Sequence, residues 1–434
     1  MAASNKPPAG LPLLKSNNPR ENQRPGSSPL EDAKTAVNSR CQSFEIDTEK
    51  NSTNSTPSNI DIYGPNRPKL GFRERIHHFT WAWFTWPMST GGLSLLIYTQ
   101  PYQFPGLRQI GFAVYITNLI IFTTLLGLMI TRFCLHRGDF IKSVTHPREG
   151  LFLPTFFLAI ATIITSTERY VVPENDVALR WLILAAFWTY LLVTLILAVG
   201  QYSFLFARHK FELQSMMPTW ILPIFPIMLS GTIASVISDS QPDIAAIPII
   251  VAGLTAQGLG ISVAVMMYAH MIGRLMLAEL PNREHRPGLF MNVGPPAFTA
   301  LAFIGMANGL PDSFDRENDG IIDANIIRTF ALIAAIFLWA LSLWWFFIAA
   351  IAVISSPPKY FHLGWWAMVF PNTGFILATI SIAKEFRNPH VLRAGSALSI
   401  LLVLMYFFVL VSHIRAVVKQ EIMYPGRDED VEDH

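Results

Sequence analysis

The chain has 434 residues, 51% hydrophobic, 12% aromatic and only 14% charged, with a formal net charge of +2 at pH 7. An ordinary soluble domain carries about 25% charged residues, and many of the charges here sit in the first 75 residues, so the rest is too apolar for one. The net charge says nothing about nucleic acid, but no basic stripe interleaved with aromatics appears and no nucleic-acid partner is expected; two cysteines, Cys41 and Cys134, exclude a disulfide framework or a cysteine-rich metal site.

Residues 1–70 are rich in Ser, Asn, Pro and charge, and read as a disordered cytosolic tail. The tail has no apolar core of a signal peptide, so the first hydrophobic helix is expected to act as its own insertion signal. Asn51-Ser52-Thr53 and Asn54-Ser55-Thr56 have the form of glycosylation acceptors. A cytosolic location would leave them unused, and the tail serines are then candidate phosphorylation sites.

Residues 71–418 read as a membrane domain and 419–434 as a cytosolic C-terminal tail. A helix needs about 20 apolar residues to cross a bilayer core. Ten runs approach that length: 79–99, 110–131, 150–166, 181–206, 218–237, 247–273, 288–310, 328–354, 361–383 and 392–413. None has Asp, Glu or Lys in its central part, and His270 is the one histidine well inside a run. With the N-terminus inside, cytosolic loops hold 16 Lys and Arg against 8 on the other side. Both termini are therefore expected in the cytosol, and the plasma membrane is the expected location.

Proline is distributed by span. Every odd-numbered run has one inside it: Pro87, Pro154, Pro223 with Pro226, Pro295 with Pro296, and Pro371. Even-numbered runs have none in their interior; Pro248 stands at the entrance of the sixth. The intervals from Pro87 through Pro154, Pro223, Pro295 and Pro371 are 67, 69, 72 and 76 residues, the length of one helical hairpin repeated five times. A proline removes a backbone donor, kinks its helix and frees a carbonyl. That carbonyl must face protein or water, not lipid. The expected fold is an all-α membrane protein: ten transmembrane helices as five quasi-repeated hairpins around a central pore, kinked helices inside and straight ones outside. Prolines also occur in membrane helices that line no pore; their restriction to the odd runs carries the reading.

Small polar residues near the prolines are the candidate path lining: Ser89, Thr90, Thr155, Asn292, Thr299, Asn372 and Thr373. Hydroxyl and carboxamide donors, with the positive ends of half-helices, would offset exposed carbonyls and favour an anion. Uncharged walls would bind it weakly enough to let it leave. Small residues also serve close helix packing. Phe370 precedes the ninth-run proline and is the candidate plug, with plain packing as its alternative. Arg75 and Lys359 inside, Arg169 and Lys384 outside, and His270 with Arg274 on the sixth run are candidate mouth charges; snorkelling anchors are their alternative. The stretch from Asp315 to Asp323 resembles half an EF-hand loop, but its twelfth position would be Ile326 rather than glutamate. No metal motif, phosphate loop or catalytic constellation is visible. Neither cofactor nor enzymatic activity is expected; a membrane-bound enzyme or a scaffold stands as the alternative of a different class.

These residues carry a family pattern. His78-Phe79-Thr80-Trp81-Ala82-Trp83-Phe84, running into Met88-Ser89-Thr90-Gly91-Gly92, resembles the first helix of fungal malic acid permeases. Gly150-Leu151-Phe152-Leu153-Pro154-Thr155 resembles their third, and Asn292-Val293-Gly294-Pro295-Pro296-Ala297-Phe298-Thr299 their seventh. Trp365-Trp366-Ala367-Met368-Val369-Phe370-Pro371 resembles the ninth helix of the wider tellurite-resistance/dicarboxylate transporter family. That family also includes plant guard-cell slow anion channels and fungal sulfite efflux pumps. The resemblance covers residues 70–420. It implies ten helices in five quasi-symmetric hairpins, a central anion path, homotrimers with one pore per subunit, and Phe370 in the place of the gating phenylalanine. The implied substrate is a C4-dicarboxylate, malate first and succinate or fumarate next, with a sulfite or nitrate channel of the same fold as the alternative. A protonated monoanion could carry the proton itself, since no interior carboxylate offers a relay, and uniport down a voltage gradient is equally compatible.

Overall fold

The computed structural model describes residues 68–173, 176–208, 214, 216–311, 314 and 323–429. The expectations for residues 1–67, and for most of the EF-hand-like stretch, lie outside these. Among the described residues all regular structure is helical. The long helices are α1 (Thr85–Thr99), α2 (Leu107–Leu135), α3 (Leu153–Tyr170), α4 (Val177–Arg208), α5 (Phe225–Ile237), α6 (Asp243–Ala278), α7 (Gly294–Asn308), α8 (Ala324–Ser355), α9 (Phe370–Glu385) and α10 (Pro389–Val418). Among the described residues, nine helical stretches are long and apolar enough to cross a membrane. The 15-residue α1 is the short member of the set.

Each odd-numbered helix is preceded by a tighter 3-10 segment: Trp81–Phe84, Glu149–Phe152, Pro218–Ile224, Arg283–Val293 and Leu363–Met368. Proline marks the start of the α portion. Pro154, Pro226, Pro295 and Pro371 are each its second residue, and Pro87 is the third of α1. In the first turn of a helix the missing N–H has no intrahelical acceptor, so proline costs little there. The odd runs thus change helix type where mid-helix kinks were expected. In the third of them Pro226 stands at the junction, while Pro223 lies inside the 3-10 segment.

The 3-10 segments and their junctions with the α portions leave backbone carbonyls to be satisfied by neighbours. Side chains of the even helices supply the donors. Tyr190 of α4 donates to the Pro226 carbonyl at 3.0 Å and Tyr268 of α6 to that of Asn292 at 2.8 Å. Ser342 of α8 donates to the Val293 carbonyl at 2.8 Å, and Gln201 of α4 to that of Gly150 at 2.6 Å.

The odd helices form a closed ring: α1 packs on α3, α3 on α5, α5 on α7, α7 on α9, and α9 returns to α1. Their 3-10 segments form a second ring in the same order. Even helices lie outside, α2 against α1 and α3, α4 against α3 and α5, α6 against α5 and α7, α8 against α7 and α9, α10 against α9. Burial follows this order. The apolar windows of the odd stretches from α3 onward are 67–94% buried, and those of the even helices 22–39%. Trp181 and Ile196 of α4, Phe337 and Phe347 of α8 and Leu404 of α10 project outward, as expected of a surface facing hydrocarbon.

The two ends of the described chain meet on one face. The Leu70 amide donates to the Gln420 side chain at 3.1 Å, and the Gln420 Nε2 returns a bond to the Leu70 carbonyl at 3.2 Å. Arg75 Nη2 donates to the Val417 carbonyl at 2.9 Å, and Thr80 Oγ1 bonds the Glu429 carboxylate at 3.0 Å. This side is called the terminal face below.

Candidate functional site

The ring encloses a cavity of about 240 Å³ lined by all five odd helices. Its deepest residues are Phe370 and Phe298, whose rings stack with centroids 4.9 Å apart. Two glycines make room for these rings. A Cβ on Gly374 would lie 2.7 Å from the Phe298 ring, and one on Gly92 would lie 3.2 Å from that of Phe370. Phe370 is 2% exposed, its ring packed among its neighbours at this end of the cavity. From this floor the cavity runs toward the face opposite the termini. On α9 it follows Phe370, Thr373, Leu377, Ser381 and Lys384, one side of the helix, for about 21 Å at 1.5 Å per residue.

The polar lining comes from the same helical stride. Thr162, Thr165 and Arg169 lie on one side of α3, and Thr232 and Ser235 on one side of α5. Most of these hydroxyls donate to their own helix: Thr162 to the Ala159 carbonyl at 2.8 Å, Thr165 to that of Ala161 at 2.9 Å, Ser235 to that of Thr232 at 2.8 Å. The Thr232 Oγ1 is buried with no hydrogen-bond partner among the described residues. The charges stand at the far end, where Arg169, Lys384 and Glu385 line the cavity and Asn308 donates to Glu385 at 2.7 Å. A second cavity, of about 700 Å³, opens beyond them and shares Thr99, Arg169 and Lys384.

Of the path residues expected from sequence, Thr373 lines the axial cavity and donates to the Val369 carbonyl at 3.1 Å. The others point elsewhere. Ser89 donates to the Thr85 carbonyl at 2.8 Å. Thr90 shares a 2.9 Å bond with Tyr406 of α10, and Thr299 accepts one of 2.7 Å from Gln257 of α6, so both face the outer layer. Thr155 bonds the Trp81 carbonyl at 2.9 Å and ties α3 to the first 3-10 segment. Asn372 donates to the Met368 carbonyl at 2.8 Å, leaving its Oδ1 unpartnered. Asn292 is fully buried with neither carboxamide atom bonded among the described residues. Thr162, Thr165, Ser235 and Ser381 line the cavity without having been expected there, whereas Thr232 stands near the prolines of its run. Their spacing of three and four residues toward Arg169 and Lys384 was the available signal.

The expected mouth charges divide between the two faces. Arg169 and Lys384 flank the junction of the two cavities. Arg75 lies on the terminal face; burial lowers its basicity and Asp428 opposes the shift. Lys359 is exposed there, its backbone N–H donating to Glu284 at 3.1 Å. His270 is exposed on the outward side of α6, and Arg274 Nη1 donates to the Glu279 carbonyl at 2.7 Å. His362 and His285 also meet on the terminal face, ring centroids 5.7 Å apart. Burial, and secondly His285, pushes His362 down to about 4.

One group among the described residues brings metal-type donors together: His77, His136 and Asp139, with ligand atoms within 4.8 Å. His77 Nδ1 already pairs with Asp139 at 3.1 Å, and Arg132 lies 3.8 Å from the same carboxylate oxygen. The guanidinium opposes a cation at that carboxylate.

Comparison with known proteins agrees with this architecture. Residues 78–414 match the SLAC1 family model, described as voltage-dependent anion channel. A malic acid transport protein of Schizosaccharomyces pombe is 32% identical over 367 residues, 84% of each chain. A putative malic acid transport protein of the same yeast is 31% identical, over 84% of this chain and 86% of its own. A sulfite efflux pump of Trichophyton rubrum is 28% identical, over 81% of this chain and 94% of its own. The family and these relatives are named as channels and transporters.

Proposed function

Because this chain belongs to the SLAC1 family of voltage-dependent anion channels, we propose that it carries C4-dicarboxylates, malate first and succinate or fumarate next, along the axis of its five odd helices. One observation carries the reading: an axial cavity lined by all five helices, floored by Phe370 and ending at Arg169 and Lys384. Hydroxyls line its walls and basic groups its mouth, chemistry that suits a small carboxylate anion and retains it only weakly. The two relatives named for malic acid transport support that substrate.

In this reading α1, with its 3-10 segment, is the tenth crossing. Ends of the described chain that meet on one face need an even number of crossings, and the nine long helices among the described residues leave one to find. The five odd–even pairs are the quasi-repeated hairpins. The terminal face is cytosolic, the membrane is the plasma membrane, and the subunits form homotrimers with one path each. Phe370 is the gate. Thr373, Thr162, Thr165, Thr232, Ser235 and Ser381 form the path above it. Asn292, with both carboxamide atoms uncommitted, and Asn372, with its Oδ1 uncommitted, meet the anion when the gate opens. Ser89, Thr90, Thr155 and Thr299 hold the helices that surround the path.

Sulfite efflux is the second reading, favoured by the sulfite pump relative that aligns over 94% of its length. Labelled malate flux into proteoliposomes of the purified protein separates the two. Saturable flux competed by succinate supports the dicarboxylate, and acceleration by an imposed pH gradient adds proton coupling. Movement of sulfite without malate overturns the substrate and leaves the path.

A further inference from the structure

We propose that Arg169 and Lys384 form a two-point clamp that selects the doubly charged form of the anion, one anionic group to each cation. This rests on the dicarboxylate reading above. Both side chains line the axial cavity and also the wider cavity beyond it. A solute moving between the two therefore passes them.

Each cation has donors to spare. Arg169 lies over the Tyr98 ring, 5.8 Å from its centroid, and Arg108 shares that ring at 5.3 Å. A guanidinium held through its face keeps its N–H edge for a carboxylate. Lys384 Nζ gives one donor to the Thr99 carbonyl at 3.3 Å, and an ammonium has two more. Among the described residues neither is in an ion pair.

The surroundings favour a dianion over a monoanion. The wider cavity is lined by Arg108, Arg169 and Lys384 with the amides of Gln100, Gln103 and Gln109, and, among the described residues, by no carboxylate. It gathers anions without ranking them. At the junction Arg169 and Lys384 lie within electrostatic range of each other. Two like charges held together in a narrow site are best relieved by a ligand that meets both at once. A monoanion neutralises one and leaves the other facing it. Glu385, the one carboxylate among the described residues lining the narrow cavity, accepts from Asn308.

The test compares Michaelis constants for malate and for lactate, a monoanion, in proteoliposomes of full-length wild type, Arg169→Gln and Lys384→Gln. Losing one charge-assisted contact should raise the malate constant by about tenfold or more, while that for lactate changes far less. Either variant should then have lost the preference for malate. Arg169→Lys keeps the charge, and should keep much of the preference; its behaviour separates loss of the clamp from loss of folding. A malate-to-lactate ratio unchanged in both Gln variants overturns the clamp. Wild type that carries no malate overturns the dicarboxylate reading instead. The same variants are then measured with sulfite across the pH range where it passes from singly to doubly charged, and an unchanged pH profile overturns the clamp there too.

Discussion

The odd and even helices divide the chain's polarity in opposite ways. The odd ring is the more buried, yet it holds the prolines, glycines and hydroxyls: Ser89, Ser94, Thr162, Ser166, Ser230, Thr232 and Thr373 are all buried within it. The even ring is the more exposed, yet its outward surface is Leu, Ile, Phe and Trp. A soluble protein would reverse this assignment. With hydrocarbon outside there is little hydrophobic drive to hide apolar side chains, and association rests on close packing and hydrogen bonds between helices. The Ser94 and Ser166 hydroxyls, 2.9 Å apart between α1 and α3, are one such contact. The two rings are therefore coupled chiefly where polar groups of one reach the backbone or charges of the other.

The strongest coupling lies on the terminal face. Arg132 of α2 is buried with Glu149, which opens the 3-10 segment before α3, and Arg132 Nη1 also donates to the Phe79 carbonyl at 2.7 Å. Arg132→Ala should cost about 3–5 kcal/mol by stranding a buried carboxylate, read as a lower midpoint of thermal unfolding in detergent. Tyr268→Phe strands the Asn292 carbonyl at a junction and should cost about 1–3 kcal/mol. An unchanged midpoint would show that the outer ring does not satisfy the inner one. The smallest effect belongs to the lipid-facing surface: Ile196→Leu should stay within about 0.5 kcal/mol.

Protonation sharpens the contrast on the same face. His362 titrates near 4 in the fold against an ordinary 6.5. Unfolding therefore takes up a proton between those values, so stability rises with pH across that window and is flat above it. His362→Asn should reduce this slope, measured by unfolding midpoints between about pH 4 and pH 7.

The layering was legible in the sequence because proline has a backbone consequence that lipid cannot absorb. Pro87, Pro154, Pro295 and Pro371 marked the inner ring without reference to any neighbour. Their local effect was less legible. A proline can kink a helix or open one, and only the 3-10 segments ahead of them show that these begin the α portion. Path residues were the hardest to read. Thr90 and Thr299 have the right chemistry next to the right prolines, but their hydroxyls turn to Tyr406 and Gln257 of the outer ring. Thr162 and Thr165 lie further along α3, on the side that faces the axis. Which side of a helix faces inward is set by its neighbours in the ring, and sequence spacing alone does not fix it. Arg169, Lys384 and Phe370 stand out in the sequence, as a charge at a run's end and a large ring at a proline against apolar surroundings, and all three line the axial cavity.

The central claim is that the path runs along the ring's axis and closes at Phe370. It is tested most directly by anion flux through Phe370→Ala in proteoliposomes, at equal amounts of folded protein. Removing the ring that stacks on Phe298 should raise flux of the carried anion several-fold while competition among anions persists. Unchanged flux for every anion that the wild type carries would place the path, or its gate, elsewhere.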